Sequence, residues 1–215
     1  MKIGLWILTF LAFAGCCFLY GGYADMALVR AIHTSRNPLF DRALQWISDT
    51  TAWLSFGGVF VLLFYAYRTR LGIGCGANGD SHKKTYLSEA VILLLSLLLA
   101  TVFVQVFKSL LHRPRPYEVY SFIKKLSDAG GGSFPSGHTA DAFTVAAFLM
   151  LGDYRWLLVL FVLGWAFAVG YSRITLGVHY GSDVLGAVLL GCLSAWVVRT
   201  LAGRSQLLYE KDYQR

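Results

Sequence analysis

One polar stretch lies between two long apolar runs of this chain: Ser172-Arg173-Ile174-Thr175-Leu176-Gly177-Val178-His179-Tyr180-Gly181-Ser182-Asp183. His179 and Asp183 are four residues apart, so on a helical turn both side chains face the same way. The carboxylate can then accept the proton of one ring nitrogen, which leaves the other nitrogen free to attack. Arg173 offers a planar fork of donors that suits phosphate oxygens. The pattern predicts a phosphoryl-transfer site, and the alternative is an interfacial loop whose polar groups face water.

The composition around this stretch is that of a membrane protein. Of the 215 residues, 56% are hydrophobic and only 14% are charged. Apolar runs long enough to cross hydrocarbon recur along the chain, which predicts one polytopic membrane domain over residues 1–215. The formal net charge of +7 is explained by loops that face anionic lipid head groups. Membrane lipids are therefore the expected partners; nucleic acid is not expected, and no obligate protein partner is inferred.

The spacing of the four cysteines indicates neither a disulfide pattern nor a metal site. The sequence has no C-x-x-C pair and no zinc-ligand spacing. The expected role of these cysteines is that of small polarizable core residues. No metal and no cofactor are predicted.

Six spanning helices are predicted from the apolar runs, over residues 3–20, 51–67, 86–111, 135–152, 156–171 and 183–201. The first run is interpreted as a retained span rather than a signal peptide, because it stays apolar through Tyr20. Between 25 and 49, apolar residues recur at helical spacing among arginines and are interrupted by Asn37-Pro38. This segment predicts two short amphipathic helices on the membrane surface.

The glycine-rich segment 72–79 is predicted to be a flexible linker that ends before a third span at Tyr86. It lacks the preceding strand and the G-K-[ST] ending of a phosphate-binding loop. Six spans put both termini on one side of the membrane and all three polar clusters on the other. When Lys108, Arg115 and Arg173 are reserved for the site, the remaining basic residues favour cytoplasmic termini and a site on the outer face.

Three separated polar segments are predicted to converge at that face. They are Lys108 to Arg115-Pro116, then Pro135-Ser136-Gly137-His138, and then Ser172-Arg173 with His179 and Asp183. These segments read K-x6-R-P, P-S-G-H and S-R-x5-H-x3-D. The chain resembles the type 2 phosphatidic acid phosphatase superfamily, whose three-part signature it matches without a gap or substitution. The first 100 residues match only in hydropathy and in placing amphipathic helices after the first span.

The residue types suit phosphate chemistry. A phosphomonoester or diphosphate brings at least two negative charges, and its transition state spreads charge over the equatorial oxygens. Lys108, Arg115 and Arg173 supply three cations that can neutralise this charge without a metal. Ser136 and the backbone N–H groups around Gly137 begin a helix, where unpaired donors favour anions. Gly137 would also allow close approach of the backbone.

The resemblance implies roles for three further side chains. His179 is expected to be the nucleophile and to form a phosphohistidine, while Asp183 orients it and stabilises the developing charge. His138 is expected to protonate the leaving oxygen and then to activate water. On sequence alone, His138 could equally be a helix-capping residue in a polar loop.

Neighbouring polar residues have less certain functions. His112 and Arg113 lie in the spacer of the first motif, where phosphate contact and no contact are equally compatible with the sequence. Asp141 could tune His138 or could pair locally near the helix start. Glu89, at the opposite membrane face, is predicted to be a snorkelling surface carboxylate.

The resemblance implies a bacterial inner-membrane lipid phosphatase. Candidate substrates are phosphatidylglycerophosphate, undecaprenyl diphosphate, phosphatidic acid and a lipid A-type phosphate. The compact chain favours the first two, but the motifs recognise only phosphate and the shape of the groove sets specificity. One alternative is a phosphotransferase, in which an alcohol intercepts the phosphohistidine. Another is a non-enzymatic binder or transporter of lipid head groups. The site pattern also resembles vanadium-dependent haloperoxidases, which are soluble, unlike this apolar chain.

Overall fold

A computed structural model of the chain describes residues 22–33, 37–71 and 79–213, with side chains over 22–33, 37–69, 71 and 86–203. This described part is helical and contains no strand. In chain order the helices are α1 (22–33), α2 (Pro38–Arg70), α3 (Gly79–Leu111), α4 (Pro116–Val119), α5 (Gly137–Met150), α6 (Trp156–Thr175) and α7 (Gly181–Tyr213).

Four segments of the described chain are long and apolar enough to cross a membrane. They are Pro38–Thr69, Tyr86–Val119, Trp156–Thr175 and Gly181–Gly203. Large apolar side chains such as Trp53 and Phe60 point outward from α2, as expected where the solvent is hydrocarbon rather than water. The predicted all-helical membrane class is confirmed, and the predicted first span at 3–20 lies outside the described residues.

The predicted second amphipathic helix is not a separate element. Asn37 caps the start of α2, with its side-chain oxygen accepting from the Leu39 N–H at 3.0 Å, and Pro38 takes the first position as predicted. The helix then runs without a break to Arg70. The hydroxyls of Thr50 and Thr51 donate to carbonyls one turn back, so these polar residues do not break the helix. The amphipathic segment is therefore the first part of a longer span.

Several other helix boundaries differ from prediction; among them, α7 continues past the predicted end at 201 to Tyr213. Helix α3 begins at Gly79, inside the segment predicted as linker, and residues 72–78 lie outside the described part. Helix α6 continues past the predicted end at Tyr171 to Thr175. As a result, Arg173 lies in the last turn of a helix rather than in a loop.

Helix α5 forms the core of the bundle and carries the second motif. Ten of its 14 residues are buried, and it contacts α2, α3, α6 and α7. It packs closely on α7 at Gly191, where a Cβ atom would lie 2.5 Å from the Ala140 carbonyl oxygen and 2.9 Å from the Thr144 nitrogen. Because both atoms belong to the backbone, only glycine permits this contact. The contact packs the first two turns of α5 against α7 at Gly191.

At the other end of the bundle, Glu89 is paired rather than snorkelling. It is half-buried and accepts from both Nη atoms of Arg199 in α7, at 3.2 Å and 2.6 Å. The hydroxyl of Tyr154 donates to the same carboxylate at 3.1 Å. This bidentate pair joins α3 and α7 to the turn between α5 and α6, far along the helices from the three motifs.

Candidate active site

The three motif segments meet at one end of the bundle. Phe134, just before the second motif, is fully buried against Gly186 of α7, where an added Cβ would lie 2.6 Å from its ring. The Ser136 N–H donates to the carbonyl oxygen of Asp183 at 3.3 Å. The second and third motifs are thus joined through the backbone, as the predicted convergence requires.

A tight turn after α6 carries His179. Gly177 has φ of 75°, and a Cβ there would lie 2.6 Å from Ile123 and 2.9 Å from the Lys124 carbonyl oxygen. Both the conformation and the space therefore require glycine. The N–H groups of Val178 and His179 both donate to the Arg173 carbonyl, at 3.3 Å and 3.2 Å. The turn reverses the chain so that His179 points into the bundle.

The two ring nitrogens of His179 have different surroundings. Nδ1 lies 2.7 Å from the backbone carbonyl oxygen of Ser133 and 3.5 Å from the Asp183 carboxylate. Because a carbonyl oxygen only accepts, Nδ1 carries the proton and Nε2 carries the lone pair. Nε2 lies 3.4 Å from Nη1 of Arg115. The predicted orienter, Asp183, is close, but the shorter contact to the ring comes from Ser133, which the sequence did not indicate.

The imidazole of His179 is neutral at ordinary pH. Its pKa is lowered to about 4 because burial disfavours the charged form. The charges of Arg173 and Arg115 act in the same direction, whereas the Asp183 carboxylate opposes the shift. A neutral ring with a protonated Nδ1 has the form that a nucleophile needs.

Asp183 is fully buried, and its carboxylate accepts several hydrogen bonds. Oδ2 accepts from the Ser133 hydroxyl at 2.5 Å and from the Tyr180 N–H at 2.8 Å. Oδ1 accepts from Nη1 of Arg113 at 2.5 Å. Arg113, whose function the sequence left open, is therefore bound to the orienting carboxylate.

The guanidinium of Arg115 is held by backbone carbonyls. It donates to the carbonyl oxygens of Gly130 at 2.8 Å, Gly131 at 3.1 Å, Gly132 at 3.2 Å and Val178 at 2.9 Å. Nη1 also faces His179. Since carbonyl oxygens do not neutralise the cation, its charge stays available to an anion placed at the nucleophile.

Arg173 is buried beside the same site. Its Nη1 donates to the hydroxyls of Ser48 in α2 at 2.6 Å and of Ser127 at 3.1 Å. Its Nε is buried and has no hydrogen-bond partner within the described part of the chain. A buried donor without a partner costs free energy, which a bound phosphate oxygen would recover. Neither serine was singled out by the sequence, because both are distant from the motifs along the chain.

Lys108 and His138 complete the set of charged and titratable groups. Lys108 interacts electrostatically with Arg115, Arg173 and Asp183. His138, in the first turn of α5, interacts with both arginines, Lys108 and His179. The predicted cations and both histidines are thus brought together.

The start of α5 has the features of an anion site. Ser136 occupies the N-cap position without capping through its side chain, and its hydroxyl accepts instead from the Thr139 hydroxyl at 2.9 Å. At Gly137 an added Cβ would meet nothing nearer than Val104, at 3.8 Å. Protein packing does not require glycine there, so the open space is compatible with the predicted approach of a phosphate. Among the residues whose positions are described, no cluster of His, Cys, Asp and Glu is arranged to hold a metal ion.

The described part of the chain is thus a helical membrane bundle with a buried, oriented histidine among three cations. The family model described as PAP2 superfamily matches residues 89–206, more than half of the chain, and the chain belongs to this superfamily. The matched range contains all three motifs, which confirms the resemblance seen in the sequence. Helix α1 and α2 lie outside it.

Individual relatives share part of the chain. The lipid A 4'-phosphatase of Bacteroides thetaiotaomicron is 37% identical over 39% of this chain. The undecaprenyl-diphosphatase BcrC of Bacillus subtilis is 33% identical over 37% of this chain. These alignments span only 37% and 40% of the lengths of the two relatives.

A solved structure is similar over a longer range. The PAP2 type phosphatidylglycerolphosphate phosphatase from Bacillus subtilis has a TM-score of 0.71 with this chain at 25% sequence identity. The match covers 94% of this chain and 96% of that one. The similarity therefore extends to the helices before the matched family range.

Proposed function

We propose that this protein is a membrane lipid phosphatase that works through a phosphohistidine. The observation that carries the proposal is the geometry of His179: Nδ1 is held by the Ser133 carbonyl, and Nε2 lies 3.4 Å from the Arg115 guanidinium. A phosphate bound by that guanidinium would have its phosphorus next to the nucleophilic nitrogen. Such positioning lowers the activation barrier because the entropy cost of bringing the reacting atoms together is already met on binding.

In the first step, Nε2 of His179 attacks phosphorus, a P–N bond forms and the bond to the leaving oxygen breaks. His138, which the negative charge of the bound phosphate keeps protonated, gives its proton to that leaving oxygen. Lys108, Arg115 and Arg173 stabilise the charge on the remaining phosphoryl oxygens. The imidazole becomes cationic in this step, and the nearby Asp183 carboxylate stabilises that positive charge.

In the second step, water attacks the phosphohistidine. His138, now neutral, takes a proton from the water as the new P–O bond forms and the P–N bond breaks. Inorganic phosphate leaves, and His179 returns to its neutral form with the proton on Nδ1. The chemistry proposed for these residues needs no metal and no cofactor.

The substrates proposed are phosphatidylglycerophosphate and undecaprenyl diphosphate, with phosphatidic acid and a lipid A-type phosphate as further candidates. The names of the relatives support phosphatidylglycerophosphate, undecaprenyl diphosphate and lipid A, whereas phosphatidic acid rests on the family resemblance. The apolar run at 3–20, the four candidate spans and α5 would together make six crossings in one domain. The proposed location is the bacterial inner membrane, with cytoplasmic termini and the site on the outer face.

The experiment is phosphate release from the four candidate lipids by detergent-purified protein in the presence of EDTA. We expect His179→Ala to abolish release and to remove the acid-labile phosphoenzyme that wild type forms on quenching. We expect His138→Ala to lower the rate by about 100-fold or more, as loss of a general acid does. His112→Asn is the matched control, because His112 is exposed with φ of 43°, a conformation that Asn tolerates.

Other outcomes point to other functions. Transfer of phosphate to an added alcohol in preference to water would indicate a phosphotransferase that uses the same histidine. A wild type that binds the lipids but releases no phosphate would favour a head-group binder or transporter, whose activity in cells His179→Ala would leave intact. Release that survives both active-site substitutions would refute the proposed mechanism.

A further inference from the structure

A buried ion-pair chain connects α1 to the nucleophile. Asp25 in α1 accepts from Nη2 of Arg113 at 2.8 Å, and Nη1 of the same guanidinium donates to Asp183 at 2.5 Å. Asp183 in turn lies 3.5 Å from the His179 ring. The Asp25 and Asp183 side chains are 5% and 0% exposed. At this burial the charges interact strongly and are little screened by salt.

Asp25 also caps the start of α7. Its Oδ1 accepts from the Ser182 N–H at 2.9 Å, and its Oδ2 accepts from the Ser182 hydroxyl. The first N–H groups of a helix have no partner within the helix, and here one of them is satisfied by a carboxylate from another helix. A negative charge at a helix N-terminus is also favourable to the helix dipole. Asp183 lies in this same first turn.

Helix α1 approaches α7 closely at Gly181, which has no side chain. A Cβ at Gly181 would lie 2.8 Å from a Leu28 methyl and 3.4 Å from Asp25 Oδ1. Val29 of α1 is fully buried in a cluster with Ile174 and Tyr180, on either side of the turn that carries the nucleophile. Helix α1 therefore packs on the active-site turn through apolar contacts as well as through Asp25.

Arg113 is the link between the two carboxylates. Its guanidinium lies 4.2 Å from the centre of the Tyr180 ring, and Nη1 also donates to the Ser182 hydroxyl at 2.7 Å. By occupying Oδ1 of Asp183, it turns Oδ2 toward the Ser133 hydroxyl and the His179 ring. The side-chain rotation of Asp183 is thus set by Arg113, which binds the carboxylate oxygen that does not face His179.

We infer that Asp25 is a positioning residue for phosphoryl transfer, acting through Arg113 and the α7 N-terminus on Asp183 and His179. The inference rests on the proposed function and assigns a part in it to α1, which lies outside the matched family range of 89–206. Asp25 has no role in binding the phosphate, because its carboxylate is occupied by Arg113 and Ser182. Its loss therefore affects the rate of the chemical step and leaves substrate binding unchanged.

The test compares Asp25→Asn with Asp25→Ala in purified full-length protein. Asparagine keeps an acceptor for the Ser182 N–H but removes the charge that holds Arg113, whereas alanine removes both. We expect kcat to fall about tenfold for Asn and about 100-fold for Ala, with KM within about twofold of wild type, because small displacements of reacting groups cost rate. In an Arg113→Gln background, Asp25→Asn should cause no further loss.

The matched control is Glu89→Gln, which also breaks a partly buried carboxylate–arginine pair but at the other end of the bundle. It should leave kcat at the wild-type value. A second readout does not depend on turnover: amide hydrogen exchange at Tyr180, whose N–H donates to Asp183, should rise at least about tenfold in Asp25→Asn, since that hydrogen bond opens more often. Glu89→Gln should leave it unchanged.

The outcomes separate this inference from the proposed function. Wild-type kcat in Asp25→Asn, a change confined to KM, or unchanged Tyr180 exchange would overturn the positioning role. So would a lower yield of folded protein in which the folded fraction keeps full activity. If wild type releases no phosphate from any lipid while Tyr180 exchange still responds to Asp25→Asn, the positioning of Asp183 stands and the hydrolase assignment fails.

Discussion

The state of His179 depends on backbone atoms as much as on its acidic neighbour. The Ser133 carbonyl oxygen, 2.7 Å from Nδ1, can only accept a hydrogen bond. The Asp183 carboxylate is 3.5 Å from the same nitrogen and is shared among other donors. A carbonyl fixes the tautomer without adding charge, so the ring stays neutral until the reaction makes it cationic. Asp183 then stabilises the charge that develops.

This environment predicts how His179 titrates. Because burial lowers its pKa to about 4, the ring should stay neutral from pH 7 down to about pH 5, well below the unperturbed value of about 6.5. The unfolded chain binds the proton more readily, so the free energy of unfolding should decrease as pH falls from about 6.5 toward 4. Nitrogen-15 NMR of histidine-labelled protein in detergent measures the titration directly, with His179→Ala for assignment. A midpoint at or above 6.5 would contradict the proposed environment.

At the scale of elements, Arg115 and the loop before α5 depend on each other. The loop from 120 to 136 has little regular structure, and its Gly130, Gly131 and Gly132 carbonyls all point at one guanidinium. The cation thus organises the loop, and the loop orients the cation toward His179. Ser133 follows directly in this loop, so the same contacts also place the carbonyl that holds Nδ1.

We expect Arg115→Lys to weaken both the binding of phosphate beside His179 and the order of the loop before α5. An ammonium group cannot donate to four carbonyls in the fork geometry of arginine, so kcat/KM should fall about 100-fold, comparable with the loss of a transition-state donor. The backbone amides of 130–133 should exchange with solvent faster than in wild type, as mass spectrometry of deuterated protein would record. Arg155→Lys, at an exposed position before α6, is the control and should change neither quantity. Unchanged exchange in the loop would show that Arg115 acts on the phosphate alone.

At the scale of the whole molecule, the bundle has a polar cluster at each end, one at the candidate active site and one that joins helices. One end holds the motifs and the charge network around Asp183. The other holds the Glu89–Arg199 pair, with Tyr154 donating to the carboxylate and Phe148 under the guanidinium at 4.9 Å. This second cluster ties α3 and α7 together at the end opposite the motifs.

Glu89→Gln should therefore lower stability without altering catalysis. Glutamine keeps hydrogen-bonding atoms but loses the ionic attraction, and the pair is about one-fifth exposed. We expect the free energy of unfolding to decrease by about 1–2 kcal/mol, between the values for exposed and fully buried pairs. Thermal unfolding in detergent, followed beside the phosphate-release rate, measures both. A loss of activity in the folded protein would show instead that the two ends are coupled.

Much of this protein follows from its sequence alone. Hydropathy predicted a helical membrane protein because hydrocarbon requires every backbone polar group to be bonded within its own helix. The four-residue spacing of His179 and Asp183 predicted that they share a site, because residues one turn apart face the same side. Asn37-Pro38 predicted a helix start, since their local chemistry suffices to fix one.

Contacts between distant segments could not be predicted in this way. Asp25 meets Ser182 across 157 positions and Arg173 meets Ser48 across 125, and no local pattern in a single sequence encodes such pairs. The Ser133 carbonyl and the three glycine carbonyls around Arg115 are backbone atoms, which every residue possesses, so residue identity does not reveal them. The sequence supplied the reacting side chains, and the packing of α1, α5 and α7 determined which atoms orient them, because hydrogen bonds depend on distances that only the folded chain defines.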